Sequence, residues 1–324
     1  MSGSTVSEPK RSEARCAPSA RPPIQMEAVT KRYRGARGIE DMDLELRAGE
    51  VFAFLGPNGA GKTTTIRILL DLIRPDAGRV QLFGLDVRRH GVEVRRRVGY
   101  LPGELGLYEQ LTAREILSHF AYLRGAGRSE PFAELAERFE LELSRPVRSL
   151  SKGNRQKVAL VQALMGDPEL LILDEPTTGL DPLVQDQVHA TIRSAARSGR
   201  SVFLSSHVLS EVASVADRVG IISDGRIARL VRIEELRAAA VHYVDVRFQG
   251  QGGYEELCAL SNVRITADAG ATMSIEVTGS LDPVIAVLAR YAIADLTIRE
   301  TDLETVFRGA LGRHDEKPGR GAAA

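Results

Sequence analysis

The sequence predicts an α/β fold built on a mostly parallel sheet, carrying a helical insertion and followed by a small α+β unit. Three observations predict it. Apolar stretches of strand length, bounded by glycine, alternate with helical periods along most of the chain. At 51–69 a glycine-rich turn joins one such strand directly to a helix. From about 242 the rhythm changes to strand, helix, strand, strand, helix, strand, which is the order of a split βαβ arrangement.

A chain of 324 residues accommodates one large domain and a smaller one with a well-buried core. The 43 basic and 43 acidic residues cancel, so no bulk attraction to nucleic acid or to an anionic surface is expected, and no nucleic-acid partner. Cys16 and Cys258 lie far apart without metal-ligand spacing, as suits a reducing interior. The apolar stretches VFAFL (51–55) and PVIAVLARYAIADL (283–296) are too short or too interrupted to span a bilayer. No apolar segment precedes RPP near the N-terminus, so no secretory signal is read there and cytoplasmic residence is expected. Residues 1–22 and 313–324 have little to bury and read as disordered tails.

The main domain is expected over 23–241. VFAFL is a buried-type strand, and the turn after it opens a helix. The stretch of about 85–166 reads as a helical subdomain. In it TAREILSHFAYLRG (112–125) opens with Thr112 and Glu115 at capping-box spacing, and SEPFAELAERFEL (129–141) repeats the helical period. LSKGNRQK (150–157) leads into the apolar run VALVQALM, with Ser151 a candidate helix cap. LLILD (170–174) and SVFLS (201–205) are further apolar strands. The accessory subdomain, 242–312, contains the strand YVDVRF, the helical YEELCAL, the strand MSIEV, the helix DPVIAVLARYA, the strand ADLTIRE and a final helix DLETVFRGAL.

The chemistry is carried by GPNGAGKTT. Gly56, Gly59, Gly61, Lys62 and Thr63 match the phosphate-binding pattern G-x-x-x-x-G-K-[ST], in the strand–turn–helix context that the pattern requires. The candidate nucleotide contacts are Gly56, Pro57, Asn58, Gly59, Ala60, Gly61, Lys62, Thr63 and Thr64. Glycines let backbone amides curl around phosphate oxygens, and the helix dipole adds positive potential. Lys62 is expected to reach the β- and γ-phosphates and the Thr63 hydroxyl to ligate Mg²⁺. Asp174 and Glu175 close a second buried strand. They either mark where solvent begins or serve the phosphate site, Asp174 holding Mg²⁺ through water and Glu175 polarising the attacking water.

Together, GPNGAGKTT, LSKGN, LLILDEPTTGLD and SSH resemble the nucleotide-binding subunit of an ABC transporter, over about residues 24–236. The resemblance implies a P-loop NTPase core of the ABC ATPase type with its helical subdomain, joined here to a ferredoxin-like C-terminal unit. It implies ATP and Mg²⁺ as ligands. It also implies that two such subunits, a homodimer being expected, face head to tail, with ATP between the P-loop of one and the signature loop of the other. Ser151, Lys152, Gly153 and Asn154 would then meet the γ-phosphate in trans, a role compatible with Ser151 also capping its helix. Tyr33 matches the aromatic that stacks on adenine, or is simply a strand residue; Asp181 matches the loop that links the two sites, and His207 the switch histidine.

Two motifs depart from the family pattern. The usual LSGGQ reads LSKGN here, with Lys152 and Asn154 as the replacements. In YLPGEL (100–105), Gly103 occupies the place of a metal-facing glutamine, and the neighbouring Glu104 is the candidate substitute. YLPGELGLYEQLT, DEPTTGLDP and DLETVF most resemble the ATPases of type-2 exporters, including the daunorubicin-resistance type. That resemblance implies a separate polytopic membrane permease that binds the exported drug, antibiotic or lipid-like compound, and a peripheral position on the inner face of the cell membrane. Leu105, Leu107 and Tyr108 either dock that partner or pack between subdomains. The C-terminal unit either stabilises or regulates the dimer, or packs passively. Two other readings stay open: a soluble ABC-type ATPase acting on a nucleic acid or ribosome, and a binding module without catalysis. The first lacks the long coiled coil, zinc cysteines or second cassette expected of it, and intact Lys62, Asp174, Glu175 and His207 oppose the second.

Overall fold

The computed structural model describes residues 21–34, 36–125, 130–238, 241–250 and 252–300. Cys16, most of the two terminal tails and the expected helix DLETVFRGAL lie outside the described residues.

The first described elements form an antiparallel hairpin, β1 (Ile24–Tyr33) and β2 (Ala36–Leu46). Next come β3 (Val51–Leu55), α1 (Lys62–Leu69), β4 (Ala77–Leu82), β5 (Leu85–Asp86), α2 (Gly91–Arg96) and β6 (Val98–Leu101). β1, β2, β4 and β5 form an antiparallel sheet in the order β2-β1-β4-β5, which the expectation of one mostly parallel sheet did not include. In β2, Met42, Leu44 and Leu46 are buried and alternate with Asp43 and Glu45, as befits a sheet with one covered face.

Three helices follow: α3 (Ala113–Leu123), α4 (Ala133–Arg138) and α5 (Lys152–Leu164). Thr112 and Glu115 make the anticipated capping box on α3. α4 is shorter than the period over 129–141 suggested. Pro131 sits in the turn before it, and Glu140 takes a left-handed φ of 50° that a continuing helix does not allow. Within 85–166 the chain also supplies β6, a strand of the central sheet, before these helices begin.

The rest of the core is β7 (Leu170–Asp174), α6 (Pro182–Arg197), β8 (Ser201–Ser206), α7 (Leu209–Val215), β9 (Arg218–Ser223), β10 (Arg226–Arg232) and α8 (Ile233–Ala238). The central sheet runs β10-β9-β3-β8-β7-β6; β9 through β6 are parallel and β10 is antiparallel. β3 is buried at all five positions because both of its faces are covered. Val51, Ala53 and Leu55 pack with the helices of one face, including Val158 and Val212, while Phe52 and Phe54 turn to the other with Ile24 and Met42. There Phe52 stacks on Phe203 with ring centroids 5.7 Å apart, an aromatic contact that clamps β3 to its parallel neighbour β8.

The C-terminal unit is β11 (Val241–Phe248), α9 (Tyr254–Cys258), β12 (Val263–Asp268), β13 (Thr272–Thr278), α10 (Asp282–Leu288) and β14 (Ile293–Glu300). Its antiparallel sheet has the order β12-β13-β11-β14, which is the ferredoxin-like split βαβ topology. β12, VRITAD, is the strand that this order requires between α9 and β13. Val244, Val246, Met273, Ile275, Val284 and Leu288 form its own core.

Candidate functional site

Parallel strands that lie side by side end at the same edge of a sheet, so their C-terminal residues meet there. β3, β8 and β7 are neighbours, with Leu55 opposite Ser206 and Asp174 opposite Ser205. Their ends deliver the glycine-rich loop, the SSH segment and the acidic pair to one place. The distance along the chain, from residue 56 to residue 207, is removed by this strand order.

The loop geometry explains its glycines. A Cβ on Gly56 would lie 2.3 Å from the Ile222 carbonyl oxygen, and Gly61 adopts φ 114° with Ile39 packed against it. Gly61 is the N-cap of α1, no side chain caps that helix, and no acid stands in its first turn. The first amides of α1 are therefore without a side-chain cap. The Lys62 ammonium is buried and donates to the carbonyls of Gly56 (2.6 Å) and Pro57 (3.2 Å), which hold it inside the loop.

Glu175 lies at the centre of the charged groups. Its Oε1 is 3.6 Å from Lys62 Nζ and 3.4 Å from His207 Nδ1, and its Oε2 accepts from the Thr178 hydroxyl at 3.1 Å. Its backbone takes a left-handed φ of 48°, unusual for a residue with a Cβ. Asp174 is 2% exposed; its Oδ2 accepts from Thr63 Oγ1 at 3.1 Å and its Oδ1 from Ser205 Oγ at 2.5 Å. Burial first, and the Asp174 charge second, push the Tyr100 phenol above its ordinary pKa, so it stays protonated beside the acid.

Tyr33 lies at the edge of this cluster. Its ring is against Gly38, whose carbonyl is next to Gly61, and the Gly225 amide donates to the Ala60 carbonyl while Glu40 N donates to Gly225 O. The β1–β2 hairpin is thus tied to the loop, with Tyr33 40% exposed.

The segment 151–154 lies against the turn just before Asp181 rather than against the loop. Ser151 caps α5 by accepting from the Asn154 amide at 3.2 Å, and Asp181 caps α6 by accepting from the Val184 amide at 3.1 Å. Lys152 lies along Gly179, and buried Gln156 donates to the Pro176 carbonyl at 3.3 Å. Among the described residues, no hydrogen bond or ion pair joins 151–154 to residues 56–64 of the same chain.

In YLPGEL, a Cβ on Gly103 would lie 3.3 Å from Asp174 Oδ2, so position 103 itself adjoins the acid. Glu104 is exposed, and among the described residues no hydrogen bond joins it to Thr63 or Asp174. Leu105 and Leu107 pack against the core around α3 and α5, whereas Tyr108 is 66% exposed.

Sequence reading passed over the supports of the site. Besides Ser205, the Glu211 carboxylate accepts from Thr177 Oγ1 (2.8 Å) and Ser206 Oγ (3.2 Å), connecting the loop after β7 to the segment bearing His207. SSH carries the two serines in plain view, but only the strand register shows that the first faces Asp174.

The family model described as "ABC transporter" matches residues 39–178. The chain is 37% identical over 303 residues to the daunorubicin resistance ATP-binding protein DrrA3 of Streptomyces coeruleorubidus, covering 89% of this chain and 96% of that protein. It is 36% identical over 231 residues to the bacitracin transport ATP-binding protein BcrA of Bacillus licheniformis, covering 70% and 76%. Among solved structures, an ATP-binding subunit of an ABC transporter matches with TM-score 0.61 at 31% identity, over 66% of this chain and 91% of that one. The dimeric ATP-binding cassette MJ0796 bound to ADP and phosphate shares the fold, with TM-score 0.60 at 23% identity over 65% and 98%.

Proposed function

The chain belongs to the ABC transporter ATP-binding proteins, in the type-2 exporter class, and from that premise we propose that it hydrolyses ATP at the cluster around Glu175 to power a separate membrane permease. The observation that carries the reading is the convergence of Lys62, Thr63, Asp174, Glu175 and His207 at the ends of β3, β7 and β8.

In this reading the loop amides and the N-terminus of α1 bind the triphosphate, and Lys62 turns from the Gly56 and Pro57 carbonyls to the β- and γ-phosphates. Tyr33 offers its exposed ring to the adenine. Thr63 and Asp174 present a hydroxyl and a carboxylate to one point, an all-oxygen donor pair of the kind Mg²⁺ takes. When bound, Mg²⁺ supplies charge neutralisation to the phosphate oxygens. Glu175 accepts a hydrogen bond from the attacking water and draws off its proton, and His207, held to Glu175, keeps the water in line with the γ-phosphate.

Ser151 to Asn154 and Asp181 form a second surface, which we assign to the nucleotide of a second copy. Ser151 then contributes its hydroxyl and Gly153 its amide in trans. ATP bound between two copies favours the closed pair, and hydrolysis releases it. Glu104 as a substitute metal ligand has only its neighbourhood to Gly103 in its favour; position 103 is the one that adjoins Asp174. The unit from 23 to 241 is the engine in this reading, with 242–312 an accessory to it.

No helix among the described residues is long and apolar enough to cross a membrane, and passage is assigned to the permease. The names of DrrA3 and BcrA support a drug or antibiotic as cargo, bound by that permease, with this chain peripheral on the inner face of the membrane. Tyr108, exposed beyond the packed Leu105 and Leu107, is the anchor we assign to the permease. The test is to recover Glu175→Gln with ATP and Mg²⁺ from solubilised cells. A polytopic membrane protein is expected to copurify, and to be lost when Tyr108→Asp is added. Ribosomal protein or DNA in its place overturns the transport reading.

A further inference from the structure

We propose that Ser205 is a positioning residue that orients both acids at the end of β7 and thereby sets the metal affinity of the site. It faces Asp174 across the parallel pair β7–β8 and is fully buried. A serine hydroxyl has one proton to give and lone pairs to receive. Here the proton goes to Asp174 Oδ1 (2.5 Å), and a lone pair receives the Glu175 amide (3.0 Å). One hydroxyl therefore serves the two acids in opposite senses.

The first bond fixes the rotation of the Asp174 carboxylate. With Oδ1 engaged, Oδ2 is the oxygen turned to Thr63, at 3.1 Å. The second bond, with the Glu175 amide also donating to the Ser205 carbonyl at 3.2 Å, holds Glu175 in its left-handed backbone conformation. That conformation keeps Oε1 between Lys62 and His207. Ser205 touches neither of those two groups, so its effect on them passes through the acids. Hydrogen-bond partners behind a ligand are worth about 10–100-fold in metal affinity elsewhere, because they fix the ligand's orientation before the metal arrives.

Removal of the hydroxyl leaves the backbone pairing of β8 intact, since those bonds use amides and carbonyls. Ser205→Ala deletes the hydroxyl; Ser205→Cys keeps nearly the same volume and replaces it with a weak donor, so that a cavity is not the cause of any loss. The proposal rests on Thr63 and Asp174 facing the metal, and Asp174→Asn is therefore measured alongside. The probe is Mn²⁺ binding to the ATP-loaded full chain, followed by electron paramagnetic resonance, together with ATP affinity in EDTA. Both Ser205 variants are expected to need about tenfold more Mn²⁺ for half-saturation, with ATP affinity in EDTA unchanged. Unchanged Mn²⁺ binding in both, beside a shift in Asp174→Asn, overturns the role of Ser205 alone. Unchanged binding in Asp174→Asn overturns the metal assignment beneath it. Loss of metal-free ATP binding in Ser205→Cys assigns the hydroxyl to general folding and overturns the proposal.

Discussion

Glu175→Gln is expected to lower the ATPase rate by about 10²- to 10⁴-fold, the range for removing a positioned general base, while ATP binding persists. The amide matches the carboxylate in size, keeps an oxygen for the Thr178 hydroxyl and leaves the backbone bonds to Ser205 in place. Only the negative charge and the proton affinity are lost. The charge is also what faces Lys62 at 3.6 Å, so its removal frees the ammonium for phosphate and should, if anything, tighten binding. Phosphate release and equilibrium ATP binding on the same preparation separate the two effects. A variant that turns over at the parent rate removes Glu175 from the chemistry.

Lys62→Ala should fail earlier, at binding. The ammonium is 5% exposed and surrounded by the Gly56 and Pro57 carbonyls and the Glu175 carboxylate, so its charge acts on a phosphate with little solvent screening. Truncating one member of such a buried charged contact costs about 2–5 kcal/mol, equivalent to roughly 30- to 4000-fold in affinity for ATP. Calorimetric titration with ATP and Mg²⁺ reads this directly. Lys62→Met, which keeps the apolar stem, should lose affinity to the same degree. If it binds as the parent does, the lysine acts through packing alone.

The parts of the site that could be read in the sequence are those in which one short stretch contains its own geometry. GPNGAGKTT needs only the strand before it and the helix after it, and Thr112 with Glu115 needs only one helical turn. The split βαβ order at 241–300 was likewise legible, because it follows from element succession alone. What could not be read depends on which strands become neighbours. The β2-β1-β4-β5 sheet joins segments on either side of β3 and α1, and Ser205 acquires its partner Asp174 only through the parallel register of β7 and β8. The limits of α4 turn on one left-handed residue, Glu140, that the helical period does not reveal.

The same distinction separates the two surfaces. Residues 56–64, 174–175 and 207 converge within one chain, whereas the start of α5 is held to the turn after β7 by Lys152 lying along Gly179 and by Gln156 on Pro176. In the proposed assembly a second copy brings them together. The most direct test mixes two variants, each silent for a different reason: Lys62→Ala, which spoils the P-loop, and Ser151→Arg, which blocks the facing helix end. In a head-to-tail pair of one copy each, the intact P-loop of one meets the intact 151–154 segment of the other. The mixture is expected to recover ATPase activity that neither variant has alone. A mixture that assembles yet stays as silent as its parts contradicts the proposed assembly.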